Sequence, residues 1–391
     1  MASSSRARTA PPAAPAGRTG WTPVVALAGG IAMLVASEFL PAGVLPALAA
    51  DVGVSEGVAG LAVAATAIAG AVTAPSIAVV LPRTDRRTVL VGLLIVGAVA
   101  NLAVAVAPNF AVLLAGRLLL GVAIAGFWSF AFGAGLHAMG GRDRAVSSAI
   151  AFGVSIATVV GVPVGAVVGD RIGWRAAFAG AAVLGVVAAA GIARALPSVP
   201  AHPSAGIRML REALRHRRLL AGIGCVVLVA FGNFAAYPYI RIATQELDPG
   251  ATTWLLLAWG VGGAAGTVLA GAAAVRLRLL AATAPVLLGV SLLVSATADS
   301  LPLLAVAIVL WGLAFNMVPV ATQLWVTRVE PERVESAMSL QVTAFQVAIT
   351  AGSAAGGALL DAYGFGVPFV VGAAAAVAAG LGFAALRVPA R

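Results

Sequence analysis

Apolar residues run along this chain of 391 residues in long stretches, broken at near-regular intervals by short polar turns. Twelve of these runs reach helix-spanning length, near 23–49, 57–81, 88–107, 110–137, 144–168, 174–196, 219–243, 251–275, 279–297, 301–326, 334–360 and 365–387. A helix rises 1.5 Å per residue, so about 20 apolar residues cross the ~30 Å hydrocarbon core of a bilayer. One connection is longer than the rest, PSVPAHPSAGIRMLREALRHRR at 197–218, and it separates six spans from six. The pattern predicts an all-α membrane protein with a six-helix half at 23–196, a central loop at 197–218 and a second half at 219–391. Residues 1–22 are rich in Ser, Pro, Ala and Arg, the composition of a disordered tail. That tail and the first run imitate a secretory signal, and Ala47-Leu48-Ala49 resembles a cleavage site. The run from Pro23 to Ala50 is too long for a signal, however, and many spans follow it.

The halves repeat. Ala145, Ser147, Thr158 and Gly165 of span 5 match Ala337, Ser339, Thr350 and Gly357 of span 11 at one constant offset. After a slip of one residue, Asp170, Gly173 and Phe178 match Asp361, Gly364 and Phe369. Two six-span halves of the same orientation imply parallel repeats about an axis along the membrane normal, with a substrate cavity at the midplane between them.

Composition agrees. The chain is 61% hydrophobic and 10% charged, against about 25% charged in a soluble domain. All 24 basic residues are Arg, and 20 of them fall in alternate connections beginning with the N-terminal tail. Arg171, Arg175 and Arg241 lie toward the opposite connections, where Asp51, Glu56, Glu246, Asp248, Asp299 and Asp361 also sit. The positive-inside rule therefore puts both termini on the cytoplasmic side. The net charge of +10 does not indicate nucleic acid, because the arginines are scattered through short loops. The one cysteine, Cys225, excludes a disulfide within the chain and a cysteine-ligated metal, and the histidines His137, His202 and His216 lack ligand spacing. No phosphate-binding loop or nucleophile–base set occurs, so no enzyme activity and no cofactor are expected. The available energy is the proton gradient, at ~2.3 kcal/mol per charge per 100 mV.

Glu38 is the only charge between Arg18 and Asp51. It lies about fifteen residues into span 1, roughly 22 Å along the helix. A structural ion pair or packing hydrogen bond is one reading, and a proton carrier is the other. Burial disfavours a carboxylate's charge while a nearby arginine favours it, and a group between those pulls can titrate as access alternates. Arg117, roughly 10 Å into span 4, overlaps the depth of Glu38. Unpaired it would cost ~2.5–3.5 kcal/mol, which pairing or hydrogen bonds to span-1 carbonyls would offset. Arg241 is a rival partner for Glu38 or an interface anchor.

Three helix faces collect polar and aromatic groups. Arg117, Gly121, Ile124 and Trp128 share a face of span 4, Asn233, Tyr237 and Arg241 one of span 7, and Asn316, Val320 and Gln323 one of span 10. Trp128 and Tyr237 offer stacking surfaces, while Asn233, Asn316 and Gln323 offer amides. Such a set can stack on and hydrogen-bond a solute, although amides that glue helices together explain the same residues. Gln341 and Gln346 of span 11 are further amides of this kind. Gly161, Gly165 and Gly169 form a small-residue stripe for close helix approach.

The plan resembles the major facilitator superfamily. LPRTDRRTVL at 81–90 is similar to the family's loop 2–3 signature, with Asp85, Arg86 and Arg87 present and its usual glycines absent. GRLLLG holds Arg117 at the position of the family's buried arginine, and GVPVG, with Gly161, Pro163 and Gly165, is similar to the Gly-Pro motif of proton-coupled exporters. SEFLPAGVLP, SEGVAG, TDRR, GFW, LPSVPAHPS, YIR and WGLAFNMVPV together resemble the drug–proton antiporter branch, and within it the bacterial purine ribonucleoside efflux pumps. Arabinose, other sugar and chloramphenicol exporters share several of these pieces. The resemblance implies a monomeric antiporter in the bacterial cytoplasmic membrane that exports a small neutral solute against protons by alternating access. It also implies that spans 1, 4, 7 and 10 line the cavity and that Asp85-Arg86-Arg87 latches the cytoplasmic side between the halves.

Overall fold

Inside lipid every backbone N–H and C=O must find a partner within the protein, and long runs of Ala, Val, Leu and Gly meet that demand as helices. The computed structural model describes residues 21–81, 83–140, 143–200, 216–330 and 334–386. Among them, twelve helices are long and apolar enough to cross a membrane, and no residue is in a strand.

Helix α1 is Thr22–Val52, and α2 is Leu61–Val80 behind a single turn, Glu56–Ala59. Helices α3 (Arg86–Ala105) and α4 (Phe110–Ala138) follow. Helix α5 comes in three pieces, Asp143–Ile156, a π-helical Ala157–Gly161 and Val162–Arg171; α6 is Trp174–Ala195. Helix α7 runs from Arg217–Ala236 through a 3-10 turn, Tyr237–Tyr239, into Ile240–Leu247. The rest are α8 (Thr252–Ala273), α9 (Leu277–Thr297), α10 (Leu301–Val329), α11 (Val334–Tyr363) and α12 (Gly366–Ala385). These ends fall within a few residues of the runs read from the sequence. All but the end of the 1–22 tail, and 201–215 of the central loop, lie outside the described residues.

Helix starts carry local caps. Ser55, Asp85 and Asn109 each accept from a backbone N–H of the following turn. The two irregular helices break at prolines, Pro163 just after the π segment and Pro238 within the 3-10 turn, where a ring nitrogen has no hydrogen to donate. Gly173 and Gly364, matched in the repeat, both turn the chain at positive φ, 120° and 85°.

The repeat reappears in the packing. Helix α2 packs on α4 as α8 packs on α10, α3 on α6 as α9 on α12, and α1 on α5 and α6 as α7 on α11 and α12. Val99 and Leu102 of α3, Val183 and Val187 of α6, and Val290 and Leu293 of α9 stand exposed, an apolar surface suited to lipid. The two sets of six helices meet along repeat-related seams. One joins α2 to α11, and the other joins α8 to the π and final segments of α5. Between them α1 meets the broken part of α7.

Candidate functional site

Pro41 lies inside α1 and offers no N–H to the carbonyl of Ser37 four residues before it. Arg117 of α4 fills that vacancy. Its Nη1 donates to the Ser37 carbonyl at 2.7 Å, its Nη2 to the Glu38 carbonyl at 2.8 Å and its Nε to the Ala62 carbonyl of α2 at 2.9 Å. The guanidinium is fully buried, and its planar fork bolts α4 to α1 and α2 at three points. Asn101 of α3 donates to the Ser37 hydroxyl at 3.0 Å, and that hydroxyl donates to the Met33 carbonyl. Residues 37 and 38 are thus fastened from two neighbouring helices.

The Glu38 carboxylate itself is free. It is partly buried, and among the described residues it accepts no hydrogen bond. Arg117 lies close enough for its charge to act on Glu38, as does the Tyr237 hydroxyl, but the arginine's hydrogen bonds go to backbone oxygens. Arg241, the rival partner, points elsewhere. It donates to the Gly43 carbonyl and pairs with Asp170.

Beside Glu38, Phe39 enters an aromatic cluster contributed by the other six helices. Its ring lies 5.1 Å from Tyr237, 6.4 Å from Phe234 and 6.5 Å from Trp259. Tyr237 lies 4.9 Å from Trp259 and 6.3 Å from Trp311, and Phe315 stacks on Trp259. Trp311 Nε1 donates to Asn233 Oδ1 at 2.8 Å, which ties α10 to α7. Among the described residues, three polar groups of this cluster have no hydrogen-bond partner, the Asn233 Nδ2, the Tyr237 hydroxyl and the Trp259 Nε1. Native interiors rarely strand buried donors, so such a concentration suits a guest that accepts hydrogen bonds.

The other amides and Trp128 stand apart from this cluster. Asn316 Nδ2 donates to Gly312 of its own helix and packs over Gly263. Gln323 is exposed on α10. Trp128, three turns from Arg117 on the same face of α4, is 40% exposed, beyond the cover that α1 and α2 give the arginine.

Asp85 caps α3 through Arg87 and Thr88 and accepts from the Ser198 hydroxyl and the Val199 N–H. Slight burial opposes its charge, but the bonds from Ser198, Thr88, Arg87 and Val199 outweigh it and hold the carboxyl below its usual value. Arg86 donates to the Leu81 carbonyl and lies 4.4 Å over the Phe130 ring, and Arg87 donates to the Ala193 carbonyl. Each of these partners belongs to the first six helices or the segment just after them. Gly161, Gly165 and Gly169 face Ala36, Leu40 and Val44 of α1, so that a Cβ at any of them would collide. Pro163 is buried in the same piece of α5.

The structure therefore gathers Glu38, Arg117, Asn233 and Tyr237 into one region and sets Arg241 at the arginine-poor end of it. Trp259, Phe39 and Trp311 were missed from the sequence. Trp259 stands in WLLLAWGVGG, where only the glycines clustered after it hinted at close packing around a large ring. Among the described residues, no group of three His, Cys, Asp or Glu side chains is placed to hold a metal ion.

A family model described as Major Facilitator Superfamily matches residues 27–237 and 222–391. The purine ribonucleoside efflux pumps NepI of Salmonella paratyphi C and Salmonella typhimurium are each 35% identical over 360 residues, which cover 90% of this chain and 91% of theirs. Among solved structures, a bacterial homolog of the human lysosomal transporter Spinster, inward-facing and occupied, superimposes with a TM-score of 0.74 at 14% identity, covering 92% of this chain and 95% of that one. The human organic anion transporter MFSD10 does so at 0.68 and 18% identity, covering 95% and 100%. At those identities the two structures speak for the fold alone.

Proposed function

We propose that this chain, which belongs to the Major Facilitator Superfamily, exports purine ribonucleosides from the bacterial cytoplasm in exchange for protons. It is a multi-pass membrane transporter and not an enzyme. The reading places it in the cytoplasmic membrane as a monomer, both termini inside, because the arginine-rich connections mark the cytoplasmic face. The helices now joined at the arginine-poor end then describe an inward-facing state.

The observation that carries the reading is the free carboxylate of Glu38, set beside a buried arginine and next to unpaired donors, in a chain 35% identical to purine ribonucleoside efflux pumps. Facing outward, Glu38 takes a proton and loses its charge. Facing inward, the proton leaves to the cytoplasm as the nucleoside enters. Arg117 holds the backbone of residues 37 and 38 in place, and its nearby charge lowers the cost of the charged carboxylate. The purine stacks on Tyr237 and Trp259 with the Asn233 amide at its edge, and Trp128, Asn316 and Gln323, which stand apart from these in the inward-facing state, line its path from the cytoplasm. Asp85, Arg86 and Arg87 brace the cytoplasmic side, and Arg241 closes the outer side. In this reading the two halves, 23–196 and 219–391, rock about the midplane cavity.

Drug and sugar exporters of the same fold are the alternative. Proteoliposomes with an imposed pH gradient are expected to accumulate inosine, guanosine or adenosine and to leave chloramphenicol and arabinose unmoved. Accumulation of chloramphenicol or arabinose without any nucleoside would overturn the substrate.

A further inference from the structure

The acids matched between spans 5 and 11 lie outside the site proposed above, and both reach across to the other six helices. Asp361, at the end of α11, accepts from the Ser55 hydroxyl at 2.5 Å and from the Gly57 N–H at 3.1 Å, both just before α2. Asp170, at the end of α5, accepts from Arg241 near the end of α7. Helix α7 is the repeat partner of α1, so the fifth helix of each half ends against the last turns of the other half's first helix or the turn just after it.

The chemistry of the two contacts differs, for a visible reason. Asp248 already accepts from Gly250 N–H at the approach to α8, so that position is occupied by an acid of its own half. Asp170 takes a cation from α7 instead. On the other side, among the described residues, no cation pairs with Asp361. Glu56 lies near enough to repel it, so its contact is held by hydrogen bonds and not by charge attraction. Tyr239 tightens the same seam, its hydroxyl 3.1 Å from the Ser353 carbonyl and 3.4 Å from that of Gly57. Gly57, Gly60 and Gly357 let the backbones and the Tyr239 ring come so close there that a Cβ at any of them would collide.

We propose that Asp170 and Asp361 are a repeat-related pair of outer latches, which bind the arginine-poor ends of the two halves together and must both release for the transporter to face outward. The proposal rests on the alternating-access reading, but its test uses neither nucleoside nor proton gradient, so the two can fail separately.

The test is labelling of one buried thiol. Cys225, the only cysteine, is replaced by Ser, and Ser353, fully buried in the α2–α11 seam, becomes the reporter as Ser353→Cys. A membrane-impermeant thiol reagent is applied to intact cells. Asp170→Ala and Asp361→Ala are each expected to raise the labelling rate about tenfold, the effect of losing a charge-assisted contact. Asp361→Asn, which keeps one acceptor, should fall between. Exchanging the partners, as Asp170→Arg with Arg241→Asp, should return the rate toward that of the reporter alone. An unchanged rate in either alanine variant, or no recovery on exchange, overturns the proposal. Ser55→Ala and Arg241→Gln release the same latches from the opposite helices and serve if an aspartate variant fails to reach the membrane.

Discussion

Pro41 accounts for a contact that side-chain charges alone do not. Glu38 and Arg117 were legible as an acid and a base at overlapping depth, and an ion pair was one expected outcome. The arginine goes to carbonyls because Pro41 leaves Ser37 without its helical partner, and an orphaned carbonyl in the membrane is costly. A backbone acceptor has no letter of its own; here its trace was a proline four residues on. The division also leaves the carboxylate free to gain and lose a proton without undoing the helix contacts. Arg117→Lys should therefore be damaging although it keeps the charge. One ammonium cannot reproduce a planar fork to three carbonyls on two helices, and the Ser37 carbonyl, which has no helical N–H to fall back on, costs about 1–3 kcal/mol if left unpaired. Thermal unfolding in detergent is expected at a clearly lower midpoint than the parent's, with transport reduced, and an unchanged midpoint would contradict the strut.

Among the elements, the twelve spans were readable because lipid imposes one length and one secondary structure on them. The small-residue stripe of α5 was readable too, and its partner proved to be α1 at Ala36, Leu40 and Val44, on either side of Glu38. The π segment of α5 and the 3-10 turn of α7 were not anticipated, although Pro163 and Pro238 stand beside them. Hydrophobic runs report which residues are apolar, and a local change of helical pitch leaves that pattern intact. The close approach of α5 to α1 gives a prediction. Gly165→Leu would meet the Leu40 side chain with no space between the helices, and is expected to abolish transport or folded yield. Gly29→Leu, on a face of α1 with open space around it, should leave both near the parent's values. Equal behaviour of the two variants in a yield and transport assay would refute the packing account.

At the scale of the molecule, the repeat, the arginine bias and the two sets of six helices follow from sequence, since each is a pattern along the chain. The aromatic cluster of Phe39, Phe234, Tyr237, Trp259 and Trp311 does not, because four of its members lie far apart in the chain on α7, α8 and α10, and Phe39 of α1 joins them only where the two halves meet. The same closure sets a free carboxylate against that cluster, and on this juxtaposition the claim of proton-coupled export depends. Glu38→Gln in proteoliposomes tests it most directly, because it removes the titrating group and keeps its shape. The variant is expected to exchange labelled for unlabelled purine nucleoside across the membrane at a rate near the parent's, while an imposed pH gradient no longer drives accumulation. Accumulation driven by the gradient at the parent's level would contradict the account.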